Sequence, residues 1–151
     1  MSRRATYSVP VVDTLTAAPR VRRPVVSLWL LRLVLTGHLL AVLGQPVLAG
    51  LYLTGDVDAI ALHGTVGSLL AAVGLVIGAV AVAYVVGGRG RLWVLPVVVA
   101  QFLLVGFQIG MGYARMMQLH VPLGVALVLV AALLTAWAWM PCAARPRGAR
   151  R

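Results

Sequence analysis

The sequence has no lysine and no glutamate, one cysteine (Cys142) and three aspartates (Asp13, Asp56, Asp58) in 151 residues. A single cysteine excludes an intrachain disulfide and a thiolate metal cluster. Charged residues make up only 11% of the chain, less than half the ~25% usual in soluble domains. Hydrophobic residues instead reach 62% and the mean hydropathy is +0.99, where soluble domains hold roughly 45–50% apolar residues. One domain of this length could not hide so much apolar surface from water. A water-soluble enzyme, a disordered chain and a disulfide-rich secreted module are therefore excluded, and an integral membrane protein is indicated.

All 13 basic residues are arginine, and the net charge is +10. In a soluble protein that charge would suggest nucleic acid, but here nearly all the arginines lie outside the apolar runs, and no nucleic-acid partner is expected. Four segments meet the ~17–25 apolar residues that a membrane-spanning helix needs. They run from about 25 to 53, 59 to 86, 92 to 113 and 116 to 140, separated by Thr54–Asp58, by Gly87–Arg91 and by a tight turn at Ala114–Arg115. Connections this short make sequential helices antiparallel neighbours. The expected fold is all-α, an up-down four-helix bundle made of two tandem helical hairpins. Residues 1–24 are expected to form a disordered tail containing Arg and Pro, 25–141 the membrane domain, and 142–151 a basic tail.

Arginine placement sets the expected direction. The N-terminal tail carries Arg3, Arg4, Arg20, Arg22 and Arg23, the middle loop Arg89 and Arg91, and the C-terminal tail Arg145, Arg147, Arg150 and Arg151. The other two loops hold Asp56, Asp58 and Arg115. The positive-inside rule then puts both termini and the middle loop in the cytoplasm of a multi-pass plasma-membrane protein. The first apolar run is much longer than a signal-peptide core and is read as an uncleaved span.

The two hairpins share a pattern. With His63 placed over His120, Gly67 falls on Gly124, Leu70 on Leu127 and Gly74 on Ala131. Gln45 precedes His63 by 18 residues and Gln101 precedes His120 by 19, and each Gln is followed five residues on by Gly50 or Gly106. Such a repeat relates the hairpins by an axis along the membrane normal. The second and fourth helices then lie diagonally across the bundle. His63 and His120 would face each other about four residues inside the outer ends, ~6 Å deep at 1.5 Å per residue. Two imidazoles at one level across a bundle are what axial ligation of haem requires.

Gly67 and Gly124, one turn from each histidine, leave room for a flat macrocycle. The plainer explanation is that small residues let membrane helices approach closely. Arg115, in the outer loop, is placed to pair with haem propionates. His38, mid-way along the first span with no counterpart in the repeat, is expected to bond Gln101 or Gln108. Asp58 is expected to cap the second helix, Pro46 to kink the first, and Trp137 and Trp139 to sit in the interfacial aromatic belt.

With these residues in place, the chain resembles one half of haem A synthase, a membrane family of two four-helix halves with a histidine pair on the second and fourth helices of each. The matching stretches are Gln45-Pro-Val-Leu-Ala-Gly through His63-Gly-Thr-Val-Gly, and Gln101 through Gln108-Ile-Gly to His120-Val-Pro-Leu-Gly, spanning roughly 28–140. The outline is also that of small, Arg-only, actinobacterial-type integral membrane proteins. The resemblance implies a haem b cradle with His63 and His120 as iron ligands. It does not extend to the family's chemistry, because the chain has no glutamate and His63 and His120 are followed by Gly64 and Val121 rather than Arg.

The expected function is that of a small b-type cytochrome-like protein holding one haem near the outer leaflet. It would transfer electrons or handle haem, with a redox or haem-handling membrane partner. The alternative is a cofactor-free four-helix scaffold or accessory subunit. An enzyme built from two copies is the least expected, for want of an acid other than Asp56 or Asp58.

Overall fold

The computed structural model describes residues 25–148; the tail expected to be disordered, 1–24, and residues 149–151 lie outside them. Four helices follow one another: α1 Val25–Leu53, α2 Val57–Val86, α3 Val94–Tyr113 and α4 Met117–Trp139, with a short 3₁₀ turn at Pro141–Ala144. Each of the four is long and apolar enough to cross a membrane. Helix α1 packs on α2 and α4, and α3 packs on α2 and α4, while the backbones of α1 and α3, and of α2 and α4, stay apart and meet only through side chains. The bundle is thus an up-down ring of four helices with two diagonal pairs, as the short connections require.

Local chemistry sets the helix ends. Asp56, not Asp58, caps α2: its carboxylate accepts from the backbone N–H of Asp58 (3.1 Å) and Ala59 (3.2 Å). A cap at 56 starts the helix two residues earlier than the apolar run alone indicates. Positive φ values at Gly55 (105°) and Arg115 (56°) turn the chain at the two loops of this end.

The interior is layered along the bundle axis. At the arginine-rich end, Leu28, Leu31, Leu35, Ile77, Ala81, Tyr84, Val85, Val94, Val98, Leu134 and Ala138 form the larger apolar core. A polar layer follows, in which Gln101 Nε2 donates to His38 Nε2 across the α1–α3 diagonal at 3.0 Å and Thr135 donates to the Leu35 carbonyl at 3.2 Å. Val42, Leu70, Val105 and Leu127 make a second, smaller apolar layer. Beyond it lies the level of His63 and His120.

The segment after α4 is not a free tail. The Pro141–Ala144 turn folds back under the bundle, where Ala143 is fully buried and its carbonyl accepts from the Tyr84 hydroxyl at 2.7 Å. Arg147 Nη2 donates to the Val85 carbonyl (3.0 Å) and its backbone N–H to the Arg89 carbonyl (2.8 Å), closing the last turn of α2. Trp137 packs onto the same end, partly buried, with its ring edge-on to Trp93 (4.6 Å) and Tyr84 (6.0 Å).

Candidate functional site: two facing imidazoles

His63 and His120 come together. Their ring centres are 6.1 Å apart and their planes are inclined by 54°, across the α2–α4 diagonal. They are not equally deep in their helices. His63 is the seventh residue of α2 and His120 the fourth of α4, because the Asp56 cap adds length in front of His63. The helices absorb the mismatch, and the rings still meet.

Each ring is tethered the same way within its own hairpin. His63 Nδ1 donates to the Gln45 carbonyl on α1 at 3.1 Å, and His120 Nδ1 donates to the Gln108 carbonyl on α3 at 2.9 Å. A carbonyl can only accept, so Nδ1 carries a proton in both rings, and in a neutral imidazole Nε2 then keeps its lone pair. Among the described residues no hydrogen bond engages either Nε2. A backbone carbonyl behind Nδ1 with Nε2 free is the usual support of a metal-ligating histidine.

The spacing suits one metal ion between the rings. Metal–imidazole bonds of ~2.0–2.1 Å on both sides of an ion put two ring centres roughly 6 Å apart. No third His, Cys, Asp or Glu converges with them among the described residues. That geometry suits a cofactor bringing its own equatorial ligands better than a bare ion wanting four protein ligands.

The cradle beside the rings is polar and only partly satisfied. Gln45 Nε2 and Gln108 Oε1 are buried without a partner, a cost expected to be relieved by a ligand or water. The ends of these amides occupy the space next to the two glycines. A Cβ on Gly67 would lie 3.8 Å from Gln45 Oε1, and one on Gly124 would lie 2.9 Å from Gln108 Nε2. Seating a macrocycle there requires both amides to swing aside. The swing breaks the 2.8 Å bond from Gln108 Nε2 to the His120 carbonyl, a loss of about 0.5–1.5 kcal/mol.

Other residues named from the sequence fall elsewhere. Arg115 is exposed in the α3–α4 loop, with no ion pair among the described residues. His38 is nearly fully buried at mid-bundle and takes Gln101, not Gln108, as its partner. The repeat sets Gln101 in correspondence with Gln45, yet the glutamine that meets His120 is Gln108, about two turns nearer the α3–α4 loop. Gly112 escaped the sequence reading: a Cβ there would lie 2.9 Å from His120 Cε1 and 3.1 Å from its Nδ1. Only the GxGY ending of α3, with its run of small residues, hinted at this close approach.

The fold and this histidine layer define a class, a multi-pass four-helix membrane protein with two imidazoles facing across its core. No protein-family model, curated protein or solved structure matches the chain, so the likeness to half of haem A synthase rests on the quoted motifs alone.

Proposed function

We propose that the bundle holds one haem b between His63 and His120 near the outer membrane surface, for electron transfer or for haem handling. The observation that carries this reading is the matched pair of imidazoles, each with Nδ1 tied to a backbone carbonyl and Nε2 free, 6.1 Å apart. Bound haem would supply a one-electron couple whose potential depends on its axial ligands and the polarity around it. The residues would do the rest. The Gln45 and Gln108 carbonyls fix both rings, Gly67, Gly124 and Gly112 leave room around them, and Arg115 would neutralise a propionate at the surface. In this reading both termini face the cytoplasm, the outer layer is open to a membrane partner, and no reaction on an organic substrate is performed.

A second reading is a cofactor-free scaffold or accessory subunit. The Gln108–His120 bond and the amide ends packed against Gly67 and Gly124 favour it, since they fill the cradle. Haem titration of the purified protein separates the two. The haem reading expects a Soret band that is lost in His63→Ala and in His120→Ala and kept in His38→Ala. Colourless protein whose stability is indifferent to the same substitutions supports the scaffold.

A further inference from the structure

The arginine-rich end carries a second organised feature. Arg32, two turns into α1, lies level with the last turn of α4 in the groove between the two helices. Its Nε donates to the Ala138 carbonyl at 2.8 Å, which satisfies one of the orphan acceptors at a helix C-terminus. Its guanidinium lies 4.9 Å from the Trp29 ring centre and 5.1 Å from that of Trp139, within cation–π range. The two indoles are locked edge-to-face at 5.5 Å and 85°, and Trp139 Nε1 donates to Thr36 Oγ1 at 3.2 Å. The guanidinium is thus held in one orientation by a carbonyl and two rings.

Among the described residues the held group has no counter-charge. Among the described residues the only carboxylates are Asp56 and Asp58, at the opposite end of the bundle. Among the described residues the Nη1 and Nη2 groups have no hydrogen-bond partner, which leaves four N–H donors for a ligand. Around them Trp29 and Trp139 are each about half exposed, and Leu33 and Met140 more so, an apolar rim suited to acyl chains. Arg89, Arg91 and Arg147 add positive charge at the same end, where anionic lipid is attracted.

The geometry points to a bound anionic phospholipid, with its headgroup phosphate on the free face of the Arg32 guanidinium and its chains against Trp29, Leu33 and Trp139. The planar fork matches phosphate oxygens in a way a lysine ammonium does not. The apolar rim selects a lipid over a free anion. The site is separate from the histidine layer and stands whether or not haem binds there.

The test is titration of the full-length protein in detergent with phosphatidylglycerol, read by native mass spectrometry as the population of the singly lipid-bound form. Phosphatidylcholine and inorganic phosphate serve as competing probes. Arg32→Gln is expected to weaken phosphatidylglycerol binding by roughly fivefold to tenfold, and Arg32→Lys by a smaller factor. Trp29→Leu, which keeps the charge and the Ala138 bond, should lower it about threefold. Arg145→Gln, an equal loss of charge at the same end, should change it by less than twofold. Should Arg32→Gln fail to fold for want of its helix-end bond, Arg32→Lys and Trp29→Leu carry the same comparison. Three results would overturn the proposal: Arg145→Gln matching the Arg32 variants, phosphatidylcholine binding as well as phosphatidylglycerol, or millimolar phosphate displacing the lipid.

Discussion

At the scale of single residues, the histidine layer depends on very short approaches, and these make it sensitive in places that hydropathy does not mark. The ring of His120 is pinned through Nδ1 and has little freedom to retreat from a methyl group on Gly112, 2.9 Å from its Cε1. Gly112→Ala should therefore displace the ring, costing about 1–3 kcal/mol of stability and weakening haem binding. Gly67→Ala meets only a 3.8 Å contact and should leave stability nearly unchanged, while weakening haem binding by narrowing the cradle. Thermal midpoints and Soret amplitudes of the two variants check the contrast.

The His38–Gln101 pair calls for a different measurement, because removing either partner strands the other in the core. A double-mutant cycle with His38→Leu and Gln101→Leu should give a coupling of ~0.6 kcal/mol and no more than ~1.7, the range found for side-chain bonds in membrane bundles. A coupling near zero would mean that water or another group serves each residue equally well.

At the scale of helices, the spans were plain in the sequence and their faces were not. Lipid tails accept the side chains that a protein core accepts, so apolar residues cover all sides of α1 to α4 and hydropathy marks each span without showing which way it turns. The facing of His63 and His120 was legible because polar residues in a span must turn inward and the two recur with the same glycine spacing. Their partners were less so. Choosing Gln108 over Gln101 depends on how far α3 slides along α4, and nothing local in either helix encodes that offset.

The same limit explains Asp56. Its place as the cap reflects where the turn at Gly55 delivers the chain, while Asp58, inside the first turn, suits a cap equally well by residue type. Asp56→Ala should cost about 0.5–2 kcal/mol and Asp58→Ala distinctly less, as measured by unfolding in a mixed-detergent titration. The docked Pro141–Ala144 turn was hidden for another reason: a short, arginine-flanked segment reads as a solvated tail, and only the buried Tyr84 hydroxyl makes it an anchor.

At the scale of the whole molecule, the arginine charge and the histidine layer sit at opposite ends. Arg32, Arg89, Arg91, Arg145 and Arg147 gather at one end of the bundle, and Asp56, Asp58 and Arg115 with the histidine layer lie toward the other. The positive-inside rule then predicts that a cysteine placed at Thr54 in a Cys142→Ser background reacts with a membrane-impermeant maleimide in intact cells, and that one placed at Arg89 does not. The reverse pattern would invert the molecule and put the histidine layer on the cytoplasmic side.

The central claim, that His63 and His120 ligate haem, is tested most directly by the absorption spectrum of the wild-type protein. It would be purified in mild detergent from haem-replete cells and recorded oxidised and after dithionite. The account predicts a low-spin b-type spectrum with haem stoichiometric to the chain and sharpened bands on reduction, as two strong axial imidazoles require. No absorbance above background, even after haem is added to the purified protein, would contradict it and leave the facing imidazoles as a packing layer of a membrane scaffold.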